Sequence, residues 1–404
     1  MLRSLFSGIS GLRAHQQMMD VTGNNIANVN TTGFKSSQTI FEDTLSQLVK
    51  APTAPRADVG GTNPAQVGLG VRTAAISTNF VQGSAQSTGR NTDLMVSGDG
   101  FFVARNGLDL LYTRAGAFSF DANGRLVNPE GLIVQGWPGV SGAVNTNVAP
   151  GDVTLPVGTL FPPVATTRIT IDGNLPADST STTPITQSIT TYDAQGNKVI
   201  VTATWTRNTA TTWGVSVTNN QTPATTTAAT LNFTATGAFQ DITVPPAAAS
   251  TTPTLNLGAI AIDLAGVTDY AGNATIAAQF QDGSAMGSLS GFTISQDGLV
   301  IGTFSNGLKQ TLAQIALANF NNPNGLQKVG NSLFRDTVNS GIPLLGQPGS
   351  GGRGTLISGS VEMSNVDLGN EFTNLIIAQR GFQANSKIIS SSDELLQELV
   401  NMKR

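Results

Sequence analysis

The stretch LRSLFSGISGLRAHQQMMDVTGNNIANVNTTGFK (2–35) decides the reading of the chain. Leu2, Leu5, Ile9, Leu12, Gln16, Met19, Gly23 and Ile26 recur at alternating spacings of three and four, the heptad seam of a helix that packs on another helix. The far end of the chain repeats the pattern. Leu368, Phe372, Leu375, Gln379, Phe382, Ser386, Ile389, Asp393, Leu396 and Val400 keep the same alternation to the last turn. Ser364 with Asp367 three residues on predicts a capping-box start, and Lys403 with Arg404 places positive charge where the helix dipole favours it. Both ends are therefore expected to be helices with one narrow apolar face. They are expected to order by packing on each other and on copies from neighbouring chains.

Between them the helical period is lost. From about 75 to 340, runs such as LMVSGDGFFVA, GAFSF, KVIVTATWT, WGVSVT and GLVIGTF alternate with hairpin signals at 121–124, 193–197 and 296–298, where Asn or Gly takes a positive φ cheaply. LKQTLAQIALANF (308–320) fits a helix or a strand pair. Residues 46–70, with several Pro and Gly and no period, read as an extended linker.

Between about 140 and 285 the composition shifts toward Thr, Ala and Pro, while the flanks share a denser pattern of Gly, Phe and Leu. The expected fold is α+β and mainly β: paired terminal coiled-coil helices, a discontinuous β domain and an inserted outer β domain. The terminal helical domain takes 1–30 and 364–404, and extended linkers take 31–75 and 345–363. The discontinuous β domain takes 76–143 and 286–344, and the insertion takes 144–285.

Charge narrows the function classes. Asp, Glu, Lys and Arg make up 11% of 404 residues, and the net charge is -4. An average soluble domain carries about 25%. A surface polar through hydroxyls and amides suits extensive neutral subunit contacts, and the lack of a basic stripe points away from nucleic acid. There is no cysteine, so neither a disulfide framework nor a thiolate metal site is available. Ser7, Gly8, Ser10, Gly11, Arg13 and His15 break the apolar start, leaving no signal-peptide core, and no stretch approaches a membrane span.

Catalytic chemistry finds no foothold. His15 is the single histidine and has no recognisable acid, nucleophile or second ligand nearby. Asp121, Asn123 and Gly124 resemble the start of a calcium loop, but position 132 is Leu where the loop needs Glu, so a hairpin turn is expected. The glycines of SGDGFF (97–102) lack the continuation and the following helix of a phosphate cradle, and Trp137, Trp205 and Trp213 read as packing residues. No catalytic residue, metal or cofactor is expected.

Three motifs in order, NNIANVNTTGFK (24–35), DLMVSGDGFFVAR with YTRAGAFSFDANGRLVNPEGLIVQG (93–136), and LISGSVEMSNVDLGNEFTNLIIAQRGFQANSKII (356–389), resemble the flagellar axial family of rod and hook proteins. The resemblance covers both ends and the discontinuous β domain. The large Thr-rich insertion points to the hook branch, with the distal rod as the alternative because some rod proteins carry an extra stretch after the first helix. A β-rich secreted tube or adhesin has no reason for heptad helices at both termini, and a carbohydrate-active enzyme would need a grouped carboxylate pair.

The resemblance implies a helical homopolymer, a flexible curved tube that joins motor to filament as a universal joint. Its partners are the rod, the hook cap, the hook-filament junction proteins and the flagellar export apparatus, with export outside the cell and no cleaved signal. Leu5, Ile9, Leu12, Met19, Ile26, Phe372, Leu375, Gln379, Phe382, Ile389 and Leu396 are expected to line permanent contacts inside the tube. The amides of Asn24, Asn25 and Asn28 are expected to cross-link neighbouring subunits without charge. Gly33 is expected to end the helix and turn the chain outward.

Overall fold

The computed structural model describes residues 2–56, 58, 60–140, 142–155, 160–178, 183–220, 225–245 and 249–402. Among the described residues two α-helices form at the ends, α1 (Leu2–Ala27) and α2 (Leu368–Asn401), and the regular structure between them is strands with one short 3-10 turn at Pro323–Gly325. Asp367 caps α2, accepting from the backbone N–H of Gly369 and Asn370. Ser364 instead accepts from Val366 N within the preceding turn, so the expected capping box is replaced by a single Asp cap. The expected positive end at Lys403 and Arg404 lies outside the described residues.

The chain divides into two compact units, one of residues 1–156, 292–302 and 310–404, the other of 157–291 and 303–309. The first extends further than the composition shift suggests because residues 151–155 fold back onto their own unit. Gln135 pairs with Asp152, Val153 N donates to Val134 O, and Val153 and Leu155 are buried.

In the first unit the strands Phe101–Asn106 and Asp109–Thr113 form a hairpin, extended by Leu333–Arg335 on one side and Ile133–Val140 on the other. Phe101, Val103, Tyr112, Ala318, Phe320 and Phe334 form a buried cluster there, with edge-on ring contacts between Phe101 and Phe320 and between Tyr112 and Phe320. The ambiguous stretch 308–320 is resolved as two strands, Lys309–Ile315 and Leu317–Asn319, consistent with its buried run Ala313–Ala318.

The second unit holds a five-stranded antiparallel meander and a four-stranded sheet. In Lys198–Arg207 the residues Val199, Val201, Ala203 and Trp205 point inward in strict alternation, the period of a half-buried strand. Of these, Val201, Ala203 and Trp205 join Ile169, Ile171, Leu175, Trp213, Val215, Leu231 and Ile262 in one apolar core. The Trp213 indole N–H donates to Asp269 Oδ1 at 3.1 Å, which satisfies both groups where they are buried.

The segment expected to run as a linker pairs with itself. Ser37–Asp43 pairs antiparallel with Val71–Thr78, and Ser46–Lys50 with Ala65–Gly68. The first of these ribbons carries α1: Val71 N donates to Ser10 Oγ, Thr73 Oγ1 to Gln17, and the His15 ring meets Phe41 edge-on at 5.7 Å.

Candidate assembly interface

The two helices meet along a line one residue N-terminal of the apolar seam. On α1 the inward positions are Gly8, Gly11, Ala14, Thr22 and Asn25, and on α2 they are Glu371, Ala378, Gly381, Asn385 and Ser392. Close approach explains the shift. A Cβ on Gly11 would lie 2.7 Å from the Asn385 amide, and one on Gly381 would lie 2.5 Å from the His15 ring. Only glycine lets the backbones come that near.

The predicted seam residues flank this line. Leu5, Ile9, Leu12, Met19, Ile26, Leu375, Phe382, Ile389 and Leu396 are half-buried, while Phe372 and Gln379 are exposed. A count of apolar residues therefore selects the neighbouring ridge, because the contact is decided by small size.

The asparagines divide. Asn25 is 1% exposed and fully used within its own chain: its Nδ2 donates to Ser37 O at 2.7 Å and Glu371 Oε1 at 2.9 Å, and its Oδ1 accepts from Ser37 N at 3.0 Å. These partners lie within its own chain, at a buried position. Asn28 donates to Asn24 O and accepts from Thr31 Oγ1, closing the helix end through a side-chain network. Gly33 follows at φ +66, its N–H donating to Glu362 O, and a Cβ there would meet Ala115 N at 2.4 Å.

Sequence reading missed the joint beneath. Lys35 Nζ lies 2.6 Å from Glu362 Oε1, and both side chains are wholly buried. Gly83 N donates to the same oxygen and Arg114 Nη1 stands 3.7 Å from the other. Burial holds Lys35 below the ordinary lysine pKa, opposed by the hydrogen bond and charge of Glu362, and burial lowers Arg114 too. Around it Asn365 accepts from Ser36 N and donates to Asn79 O and Val81 O. The joint brings together residues 33–37, 79–84 and 360–365, and Lys35, Arg114 and Glu362 each sit in one of the three sequence motifs. Sequence spacing gives no hint that they touch.

Away from the contact line, α2 leaves apolar side chains half exposed among exposed charged ones, Arg380, Lys387, Glu394 and Glu398. Leu368, Phe372 and Ile376 follow one another at i, i+4, and Ile377 and Leu395 share a line with Ile388, whose Cγ2 lies 3.6 Å from where a Cβ on Gly8 of α1 would sit. Phe372 is 50% exposed and Ile376 57%. Phe6 of α1 is likewise exposed. Asp121, the first position of the would-be calcium loop, is engaged by Asn123 N, Arg125 N and the Arg125 side chain, as an Asx turn requires.

Residues 5–35 match the family model of the flagella basal body rod protein, and 95–180 that of the flagellar hook protein FlgE/F/G D1 domain. Residues 159–284 match the flagellar basal body protein FlaE D2 domain, and 357–402 the flagellar basal body rod FlgEFG protein C-terminal region. Over 445 aligned residues spanning 100% of both chains, the sequence is 39% identical to the flagellar hook protein FlgE of Borreliella burgdorferi. The chain belongs to the flagellar hook protein family.

This hook-family chain is also 33% identical to the flagellar basal-body rod protein FlgG of Bacillus subtilis, across 100% of both. The crystal structure of Helicobacter pylori flagellar hook protein FlgE2 shares the fold, with a TM-score of 0.51 at 16% identity over 67% of this chain and 98% of that one. The hook family is structural, and its place is the bacterial flagellum. Among the described residues no helix is long and apolar enough to cross a membrane.

Proposed function

We propose that this hook-family subunit polymerises through its terminal helices into a flexible curved tube, the hook, that carries torque from rod to filament. The observation that carries this reading is the division of labour on α2. Small and polar residues hold it to α1, while Leu368, Phe372, Ile376, Ile377, Ile388 and Leu395 remain exposed. A neighbouring copy that covers them gains about 1 kcal/mol or more for each half-exposed Phe or Ile. Leu5, Ile9, Leu12, Met19, Ile26, Leu375, Phe382, Ile389 and Leu396 extend that surface from their half-buried positions beside the helix pair.

In this reading the helices form the inner wall of the tube, and the β surfaces contribute further contacts between copies. These neutral, hydroxyl-rich surfaces make contacts that water can replace as the tube flexes. The ends of the tube meet the rod, the cap and the hook-filament junction proteins, and the subunit leaves through the flagellar export apparatus.

Electron microscopy of the purified chain tests the proposal. Curved tubes support it, straight rods would favour a distal-rod subunit, and monodisperse particles at every concentration would refute it.

A further inference from the structure

Lys35 and Glu362 lie 327 positions apart, yet their charged atoms are 2.6 Å apart with no exposure on either side chain. One carboxylate answers two cations, Lys35 through Oε1 and Arg114 through Oε2 at 3.7 Å. The three residues come from three parts of the chain: the segment leaving α1, the β unit, and the segment entering α2. Val81 O and Gly98 O also accept from Lys35 and Arg114, but a neutral carbonyl cannot balance a desolvated cation. Without Glu362 the buried Lys35 would have no carboxylate partner beside the like charge of Arg114, which would keep only the weaker attraction of Asp99.

We propose that Glu362 is a shared counter-ion that makes docking of the N-terminal segment on the β unit conditional on docking of the C-terminal segment. The two ends then join the unit in a single step. The first helix is made early in synthesis and the carboxylate that holds its following segment arrives near the end, so residues 31–37 remain undocked on an incomplete chain. Gly33 N donating to Glu362 O and Met363 N donating to Ser84 O link the same three segments by backbone. The ordering of either end is thereby tied to the other before any second copy is involved, which goes beyond the assembly reading.

Hydrogen exchange read by mass spectrometry on the full-length chain tests this. Glu362→Gln should speed exchange of residues 31–43 roughly a hundredfold or more, the scale of a buried pair deprived of one partner, while 185–219 stay unchanged. Lys35→Met combined with Glu362→Gln should recover at least about tenfold of that loss, because the stranded ammonium is gone. Should Glu362→Gln alone fail to fold, recovery of a folded chain with 31–43 protected in the double variant supports the proposal. Unchanged protection in Glu362→Gln, or a double variant no better protected than the single one, would overturn it.

Discussion

Asn25 organises the end of α1 with a single neutral side chain, joining Ser37 to Glu371 of α2. Asn25→Ala would leave both Ser37 backbone groups and the Glu371 carboxylate without these partners, and should cost about 2 kcal/mol in urea unfolding. Asn28→Ala removes only a half-exposed closure of the helix end and should cost about 0.5 to 1 kcal/mol.

Glu371 itself is pushed above the ordinary glutamate pKa, first by burial, with hydrogen bonds from Asn25 and Thr22 opposing. A carboxyl whose folded pKa is raised binds more protons folded than unfolded between the two values. Its contribution therefore declines as pH climbs through that window. Glu371→Gln keeps an acceptor for Asn25 and abolishes the decline, so its stability relative to the parent should be higher at about pH 7 than at about pH 4, by urea titration at each.

Elements depend on where glycine is needed. Gly23 of α1 has nothing within 4 Å of an added Cβ, whereas one on Gly381 would sit 2.5 Å from the His15 ring. Gly23→Ala should therefore stabilise the helix by about 1 kcal/mol, while Gly381→Ala should destabilise the pair despite the same gain in propensity. Thermal melts followed by circular dichroism read both signs. In the hairpin Gln327–Gly330 to Leu333–Arg335, Asn331 and Ser332 both hold positive φ, at 51° and 57°. Ser332→Gly should relieve about 0.5 to 1 kcal/mol of that strain by the same melt.

These contrasts show what the sequence could convey. A 3-4 alternation exposes a helix at each end, because periodicity survives without any knowledge of the partner. The side of the helix that touches its partner did not follow, because apolar residues mark ridges whereas Gly8, Gly11 and Gly381 mark the closest approach. Residues 46–70 hid their strands behind Pro and Gly, since most side chains of this ribbon are exposed and leave no alternation. The joint of Lys35, Arg114 and Glu362 was illegible for another reason: a lone charge in a motif carries no address for its counter-charge.

At the scale of the whole molecule, each β unit has a core of its own, while the helix pair leaves large apolar side chains in solvent. A subunit that keeps half-exposed apolar side chains on its helix pair is poised to associate, and low charge throughout lets copies approach without repulsion. The helix pair is thus complete as a unit of folding and incomplete as a surface. The chain has no cysteine, so a single one placed on that surface reports on it alone. The decisive measurement is the maleimide labelling rate of Ile376→Cys as monomer and after assembly into tubes. Reaction at least about tenfold slower in the tube is expected if neighbouring copies cover the exposed Phe372 and Ile376; equal rates in monomer and tube would contradict assembly through α2.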